Sequence, residues 1–507
     1  MVRPRSVGYG KHLHLGCRMK CISALGFVLA VLIIALAGCS GVPNKSGGGG
    51  GGGGTGTANL AVTMTSSPST SLSNISVISA SVGITGITLN PSTGSAVALT
   101  LTPTVYPIDL ARLQTDTAFL GSLSLPADTY TSVTLTFSAP VLTIDNQSGA
   151  TLNGTCLSGS ICQITLTAGS TQVATTPFPL TLISGQATGI SLDLNLSSAL
   201  SVSSGTLAFN FSALNVITAA TLPRTGAPTG SLDLIEDFVG KVTAKGSSTL
   251  TVQASNGISL SFTLPASPVI EDPQGLCSAV NATCLVVNQT VVSVDATVNT
   301  NGTLTLVSAD LLDATPRDEV EGTLFLTGTP GQFSLVVSDK VVTSGNSTLA
   351  SATSGDVFLV TLSSPLFIVD TDEFFNNASL PPSNVTTLFS SEADLVDGQD
   401  VMVHVTAATG TASAGNQALT TDLVRLPFTR TNGSVQSVSG QAFTLANVPP
   451  FIPFITNPLV DTITGATSFD GVTDVNSLTA GQNVSIRALL LNNSVFSFYA
   501  AKVRLQP

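Results

Sequence analysis

The sequence predicts an all-β protein, with an N-terminal β-sandwich followed by three small β-barrel-like repeat modules. Three observations carry that expectation. Only 9% of the 507 residues are charged, while Thr, Ser, Val and Leu crowd the chain, which is the composition of half-buried strands rather than of helices. Apolar and polar residues alternate with period two, as in "TSVTLTF", where Val133, Leu135 and Phe137 share one face. The C-terminal half then repeats one glycine-strand-turn-strand pattern three times. At about 150 residues per domain, the chain beyond its leader has room for three or four units.

The leader comes first. Cys21 to Ala37 ("CISALGFVLAVLIIALA") carries no charge and follows Arg3, Arg5, Lys11, Arg18 and Lys20, the layout of a secretory signal. The run falls short of the ~20 residues that span a bilayer as a helix, and an uncleaved membrane anchor is the alternative. "MKCISALGF" begins at Met19, so translation from Met1 or from Met19 both stay open. Leu36-Ala37-Gly38-Cys39 resembles the lipobox of bacterial lipoproteins. That resemblance implies cleavage before Cys39, lipid on its thiol and residues 1–38 as signal peptide; Ser40, where inner-membrane retention shows Asp, leans toward the outer membrane. Buried acyl carbons contribute ~0.8 kcal/mol each, so two or three chains hold a folded body on a membrane. Residues 39–57, with eight consecutive glycines from Gly47 to Gly54, read as a tether reaching ~25 Å. No Lys-Ser/Thr pair follows the glycines, which argues against a phosphate-binding loop.

Without the five basic residues of the leader, 12 Lys and Arg face 29 Asp and Glu. That excess of acid disfavours nucleic acid and anionic lipid surfaces as partners. Four cysteines remain once Cys17, Cys21 and Cys39 are set aside, in two close pairs, Cys156 with Cys162 and Cys277 with Cys284. Two distant pairs at these spacings do not make a zinc knuckle, and disulfides closing two turns are expected.

Residues 58–218 form the expected sandwich. "ISVISASVGITGITL" (Ile75 to Leu89) alternates but slips register twice, which predicts bulges in a long strand. "YPIDLARLQTD" is the one convincing helical turn, with Asp109 as N-cap and Leu110 and Leu113 on one side. On Ile108-Asp109-Leu110 and on Leu125-Pro126-Ala127-x-x-Tyr130, the segment resembles the domain of unknown function 4382. The resemblance implies a prealbumin-like β-sandwich with no established activity.

The repeats open with "GKVTAKGSSTLTV" at Gly240, "GTLFLTGTPGQFSLVV" at Gly322 and "GSVQSVSGQAFTL" at Gly433. They close on words containing Gln289, Gln399 and Gln482. Gly and Gln lie 49 residues apart in the first and third copies and 77 in the second, which therefore carries an insertion of 28. The modules are expected at 238–313, 319–427 and 429–507, each a small closed barrel or compact sandwich of short strands. On "GQDVMVHV" and "GQNVSIRA" they resemble domain of unknown function 5666. The insertion, within Ser344 to Leu388, reads as a surface loop bearing a partner contact, or as a strand end whose Phe374, Phe375 and nearby Phe389 pack on their own barrel.

Catalytic groups are scarce. His404 is the one histidine beyond the leader and lies on the strand face opposite Val403 and Val405. No catalytic residue is assigned, no cofactor is expected, and the protein reads as a non-enzyme. Acids cluster at Asp318, Glu319 and Glu321 and at Asp370, Asp372 and Glu373; the latter trio is a weak calcium candidate, lacking the Gly and distal Glu of an EF-hand loop. The reading is a membrane-anchored envelope lipoprotein acting by binding or as architecture at the cell surface or in the periplasm. Its lipid anchor engages the membrane, and an envelope protein or glycan is the candidate partner. The alternatives are a carbohydrate-active hydrolase with paired carboxylates and a purely structural spacer.

Overall fold

A computed structural model describes residues 56–506, except 70–71, 73, 167–171, 226, 273–274, 278–280, 315–316, 371–387, 412–415, 454–456 and 493–496. The described chain is almost entirely β. Two sheets build the N-terminal sandwich. In the first, Thr57–Ser67 lies parallel to Ala187–Asn195 and antiparallel to Ala118–Pro126, with Ile217–Leu222 on the outer edge. The second centres on Ile75–Pro91, a single 17-residue strand paired with Val141–Asn146 along its first half and with Thr129–Phe137 along its second. Its pairing shifts at Val77/Ser79, Ile84/Gly86 and Asn90/Pro91. The slipped alternation in the sequence is thus a bulged strand, bent so that it serves two partners.

Leu60, Val62 and Met64 from one sheet and Ile84, Leu135 and Phe137 from the other join one apolar core, which continues without a break into the first barrel. At the turn after Ala118–Pro126, the Tyr130 hydroxyl donates to the Pro126 carbonyl at 3.1 Å while its ring is fully buried. Asp128 in that turn accepts the Thr129 N–H, and the strand Thr129–Phe137 follows.

Each repeat closes into a five-stranded circuit. In the second, Glu319–Leu326, Gln332–Val341, Val357–Val369, Ala418–Leu426 and Asp400–Thr409 pair in that order and return to the first. Val357–Val369 and Ala418–Leu426 are parallel; every other pair is antiparallel. The first and third repeats follow the same circuit through Gly240–Lys245 and Thr429–Ser439. Their third strand is broken into Ser259–Thr263 plus Val269–Glu271 and into Leu459–Thr462 plus Ser468–Asp470, where the second repeat has one strand with a register shift at Leu362/Leu366. Full closure removes the exposed strand edges that would invite aggregation.

The opening glycine is explained by this closure. Gly240, Gly322 and Gly433 pair with Val292, Val401 and Val484, and a Cβ on any of them would lie within 2.2–2.8 Å of a carbonyl oxygen on the next strand. The closing glutamine caps the turn before the fourth strand: Gln399 accepts the Val396 N–H at 2.8 Å and Gln482 the Thr479 N–H at 2.7 Å. In the first repeat that role belongs to Thr290, whose hydroxyl accepts the Val286 N–H at 2.8 Å. The carbonyls of Thr290, Gln399 and Gln482 all accept from the residue two past the opening glycine. Asn288 takes the left-handed conformation of Gly398 and Gly481. Gln289 is therefore an extra residue, a bulge at the place where the first copy lacks the glycine before its glutamine.

The insertion also differs from a plain surface loop. Its first part forms the short helix Ser347–Ser351, and Leu349 and Ala352 enter the second barrel's core. Phe389 is fully buried, its ring edge-on to Phe367 with centroids 5.6 Å apart. Residues 354–356 turn onto the sandwich, where the Gly355 carbonyl accepts from Thr143 Oγ1 at 2.6 Å and Asp356 from Gln163 Nε2 at 3.1 Å. Phe374 and Phe375 lie outside the described residues.

Candidate functional site at the junction of the modules

The sandwich's one helical turn builds the site. Tyr106–Asp109 ends in the Asp109 carboxylate, which accepts the N–H groups of Ala80 and Ala111, each at 2.9 Å, and so fixes the chain entering the 3-10 turn Arg112–Gln114, whose N-cap is Ala111 rather than Asp109. Leu110 and Leu113 point into the sandwich core. The opposite side of the turn therefore presents Arg112, Gln114 and Asp116 to the barrels, Gln114 and Asp116 to the third and Arg112 to the first two.

Arg112 reaches Asp237, in the segment leading into the first barrel, at 3.1 Å, and Asp339 of the second barrel at 3.4 Å. Arg430, on the first strand of the third barrel, meets Asp116 at 3.0 Å, Glu321 at 3.1 Å and Asp237. Arg504 donates to the backbone carbonyls of Leu113 and Asp116 at 3.0 and 2.9 Å and to the Asp470 carboxylate at 2.7 Å. Lys502 and Arg487 converge on Glu236, and Arg425 donates from the second barrel to the Leu312 carbonyl of the first. Seven of the eleven basic residues after the tether bond between modules in this way: Arg112, Arg224, Arg425, Arg430, Arg487, Lys502 and Arg504.

Burial and ion pairing pull the proton affinities of these carboxylates in opposite directions. Burial pushes Glu321 up to about 7 against the pull of Arg112 and Arg430, and Asp295 up to about 6 against Arg487. Burial likewise raises Asp339 and Asp400 despite neighbouring guanidiniums. Asp116 goes the other way. Burial would raise it, but Arg430 and Arg112 hold its carboxyl well below the usual carboxylate range.

A cavity of about 440 Å³ opens beside Arg112. The sandwich contributes Tyr106 and Phe119, the first barrel Phe238 and Ile258, and the second barrel Asp339 and Ser354. Lys340 also lines it, but its ammonium is engaged with the carbonyls of Leu349, Ala350 and Ala352. The walls are mostly apolar with a polar end, the usual make-up of a small-molecule site.

Among the described polar residues singled out from sequence, Asp109 of the helical turn and Glu321 belong to the site, and the others fall elsewhere. Both disulfides are formed, Cys156 to Cys162 and Cys277 to Cys284, each closing a turn within one module. Glu321 joins the junction, while Glu319 on the same strand face is 3% exposed, 4.0 Å from Arg425. Burial raises Glu319 to about 7. Asp318 instead caps a turn, accepting the N–H groups of Thr343 and Ser344. His404 sits 2.6 Å from Asp422. Of the calcium trio only Asp370 is described; Asp372, Glu373 and the lipidation candidate Cys39 lie outside the described residues. Among the described residues no group of three acids, histidines or cysteines is placed to hold a metal ion.

Sequence reasoning missed the junction, although it left a signal. Arg487 in "NVSIRALLL" and Lys502 and Arg504 in "FYAAKVRLQ" interrupt otherwise apolar strands. A charge there must be paired, because an unpaired buried ion is too costly to keep.

The sandwich matches the family model of Domain of unknown function (DUF4382) over residues 57–213. That match carries the resemblance read from Ile108-Asp109-Leu110 and the Leu125–Tyr130 turn, and it ends before the three barrels. It also contains Arg112 and Asp116, so the hub of the junction belongs to the matched domain. No curated protein matches the chain.

Proposed function

We propose that the protein is a lipid-anchored envelope protein, held to the outer membrane through Cys39, that presents a sandwich and three barrels as one rigid body and acts by binding rather than by catalysis. The observation that carries this reading is the junction. Charged side chains are few, and most of the basic ones bond modules to one another around a cavity that no single module could form. The lipobox at Leu36–Cys39 and the glycine run after it supply the anchor and the reach. In the same reading the barrels are relatives of domain of unknown function 5666, and the partner is met in the periplasm or at the surface.

A hydrolase with paired carboxylates fits less well. Glu319 and Glu321 carry proton affinities suited to an acid catalyst, but they are 3% and 2% exposed, and Glu321 is held by two guanidiniums. A pure spacer would have no use for the cavity.

Mass spectrometry of the mature N-terminus and membrane fractionation test the anchor. A diacylated Cys39 in the membrane fraction is expected, with Cys39→Ser released to the soluble fraction. A Cys39→Ser protein still processed and still membrane-bound contradicts it.

A further inference from the structure

We infer that the junction cavity is a binding site for an organic cation, a molecule with an apolar body and one ammonium head. The inference deepens the binding reading above and rests on it. Its first support is shape and lining. Tyr106, Phe119, Phe238 and Ile258 supply apolar surface from two modules, in a volume of about 440 Å³ that suits a small ligand rather than a peptide chain.

The polar end decides the sign of the ligand's charge. Five carboxylates, those of Asp116, Asp237, Glu321, Asp339 and Asp400, share the guanidiniums of Arg112, Arg430 and Arg487. Negative charge is in excess. Asp237 and Asp339 line the cavity and keep about a fifth of their side-chain surface accessible, whereas Arg430 and Arg487 are almost wholly enclosed behind them.

Asp339 is the least committed of the five. One oxygen accepts the Lys340 N–H at 2.7 Å, and the other meets only Arg112, at 3.4 Å. The neighbouring donors are already occupied: Arg112 is divided among four carboxylates, and the Lys340 ammonium is turned onto three carbonyls. Both cations on the cavity wall are therefore already engaged by protein acceptors. The charged groups lining the cavity are the carboxylates of Asp109, Asp116, Glu236, Asp237 and Asp339 against Arg112 and Lys340, so an anion meets the greater repulsion and a neutral alcohol leaves the charge excess in place.

The test is calorimetric titration of the full-length protein in nonionic detergent, with blank-micelle heats subtracted. Three probes of one shape are used: 3-phenylpropylammonium, 3-phenylpropanol and 3-phenylpropanoate. The ammonium is expected to bind one to one, at least tenfold more tightly than the alcohol, and the carboxylate to give no binding. Asp339→Asn should reduce ammonium binding at least tenfold. Ser255→Phe, which adds bulk at an exposed lining position without entering the core, should block it while leaving the melting temperature unchanged. Equal binding of all three probes overturns the cation assignment and leaves the binding reading standing. No binding of any probe, or ammonium binding untouched by both substitutions, overturns the site itself; the anchor is judged by its own experiment.

Discussion

Arg430, on the third barrel, holds its Nε 3.0 Å from the Asp116 carboxylate of the sandwich, 314 residues away in sequence. The same guanidinium reaches Glu321 on the second barrel and Asp237 at the entry to the first. One side chain thus touches all four modules, and Asp116 stays ionised because it does.

Removing that guanidinium strands several buried carboxylates at once. Arg430→Met is expected to cost about 3–5 kcal/mol, the usual penalty for deleting one partner of a buried ion pair. Chemical denaturation measures it. Arg430→Lys should recover only part of the loss, because an ammonium cannot fork between Asp116 and Glu321. A change below about 1 kcal/mol in the Met variant would show that the network is solvated and idle.

Stability should fall as pH rises through neutrality. Burial, opposed only in part by Arg425, holds the Glu319 carboxyl up near 7 in the folded state, against 4.5 for an ordinary glutamate. A raised acid binds its proton more tightly when folded, so its contribution is complete below about pH 4.5 and is lost as pH rises through about 7. The melting temperature is expected to be higher at pH 5 than at pH 8. Glu319→Gln should flatten that slope, and an unchanged slope would remove Glu319 as its source.

The opening glycines of the barrels should rank by clearance. A Cβ at Gly322, Gly240 or Gly433 would meet a facing carbonyl oxygen at 2.2, 2.6 or 2.8 Å. Replacement by Ala should cost about 1–3 kcal/mol, largest at Gly322 and smallest at Gly433, as expected when strands must move apart. Thermal unfolding of the three variants reads the order directly, and a reversed order would break the structural equivalence of the repeats.

Leu349, in the helix of the insertion, is fully buried in the second barrel. Leu349→Ala should therefore cost about 2–5 kcal/mol in a denaturation experiment. A loss within 0.5 kcal/mol would return this segment to the status of a dispensable surface loop.

The all-β class was legible because strand alternation survives even where it slips. The double slip in Ile75 to Leu89 is the pair of bulges that bends one long strand between two partners. The repeats were legible through Gly240, Gly322 and Gly433, whose role depends on strand closure common to all three. The glutamine's counterpart in the first copy was not, because Thr290 performs its capping with a hydroxyl, and a letter match cannot see a shared hydrogen bond. The junction lay beyond pattern reading for a different reason. Asp116 and Arg430 are paired by the packing of whole modules, and local periodicity carries no information at that range. Of the two readings of the insertion, the burial of Leu349 and Phe389 supports packing on its own barrel, which length alone could not decide because that burial depends on the barrel they fill.

Differential scanning calorimetry of the full-length protein tests the central claim, that a buried polar junction makes four modules one body. A single transition is predicted, with calorimetric and van't Hoff enthalpies in agreement, resolving into two or more transitions in Arg430→Met. Separate module transitions in the unaltered protein, unmoved by the loss of Arg430, would contradict it.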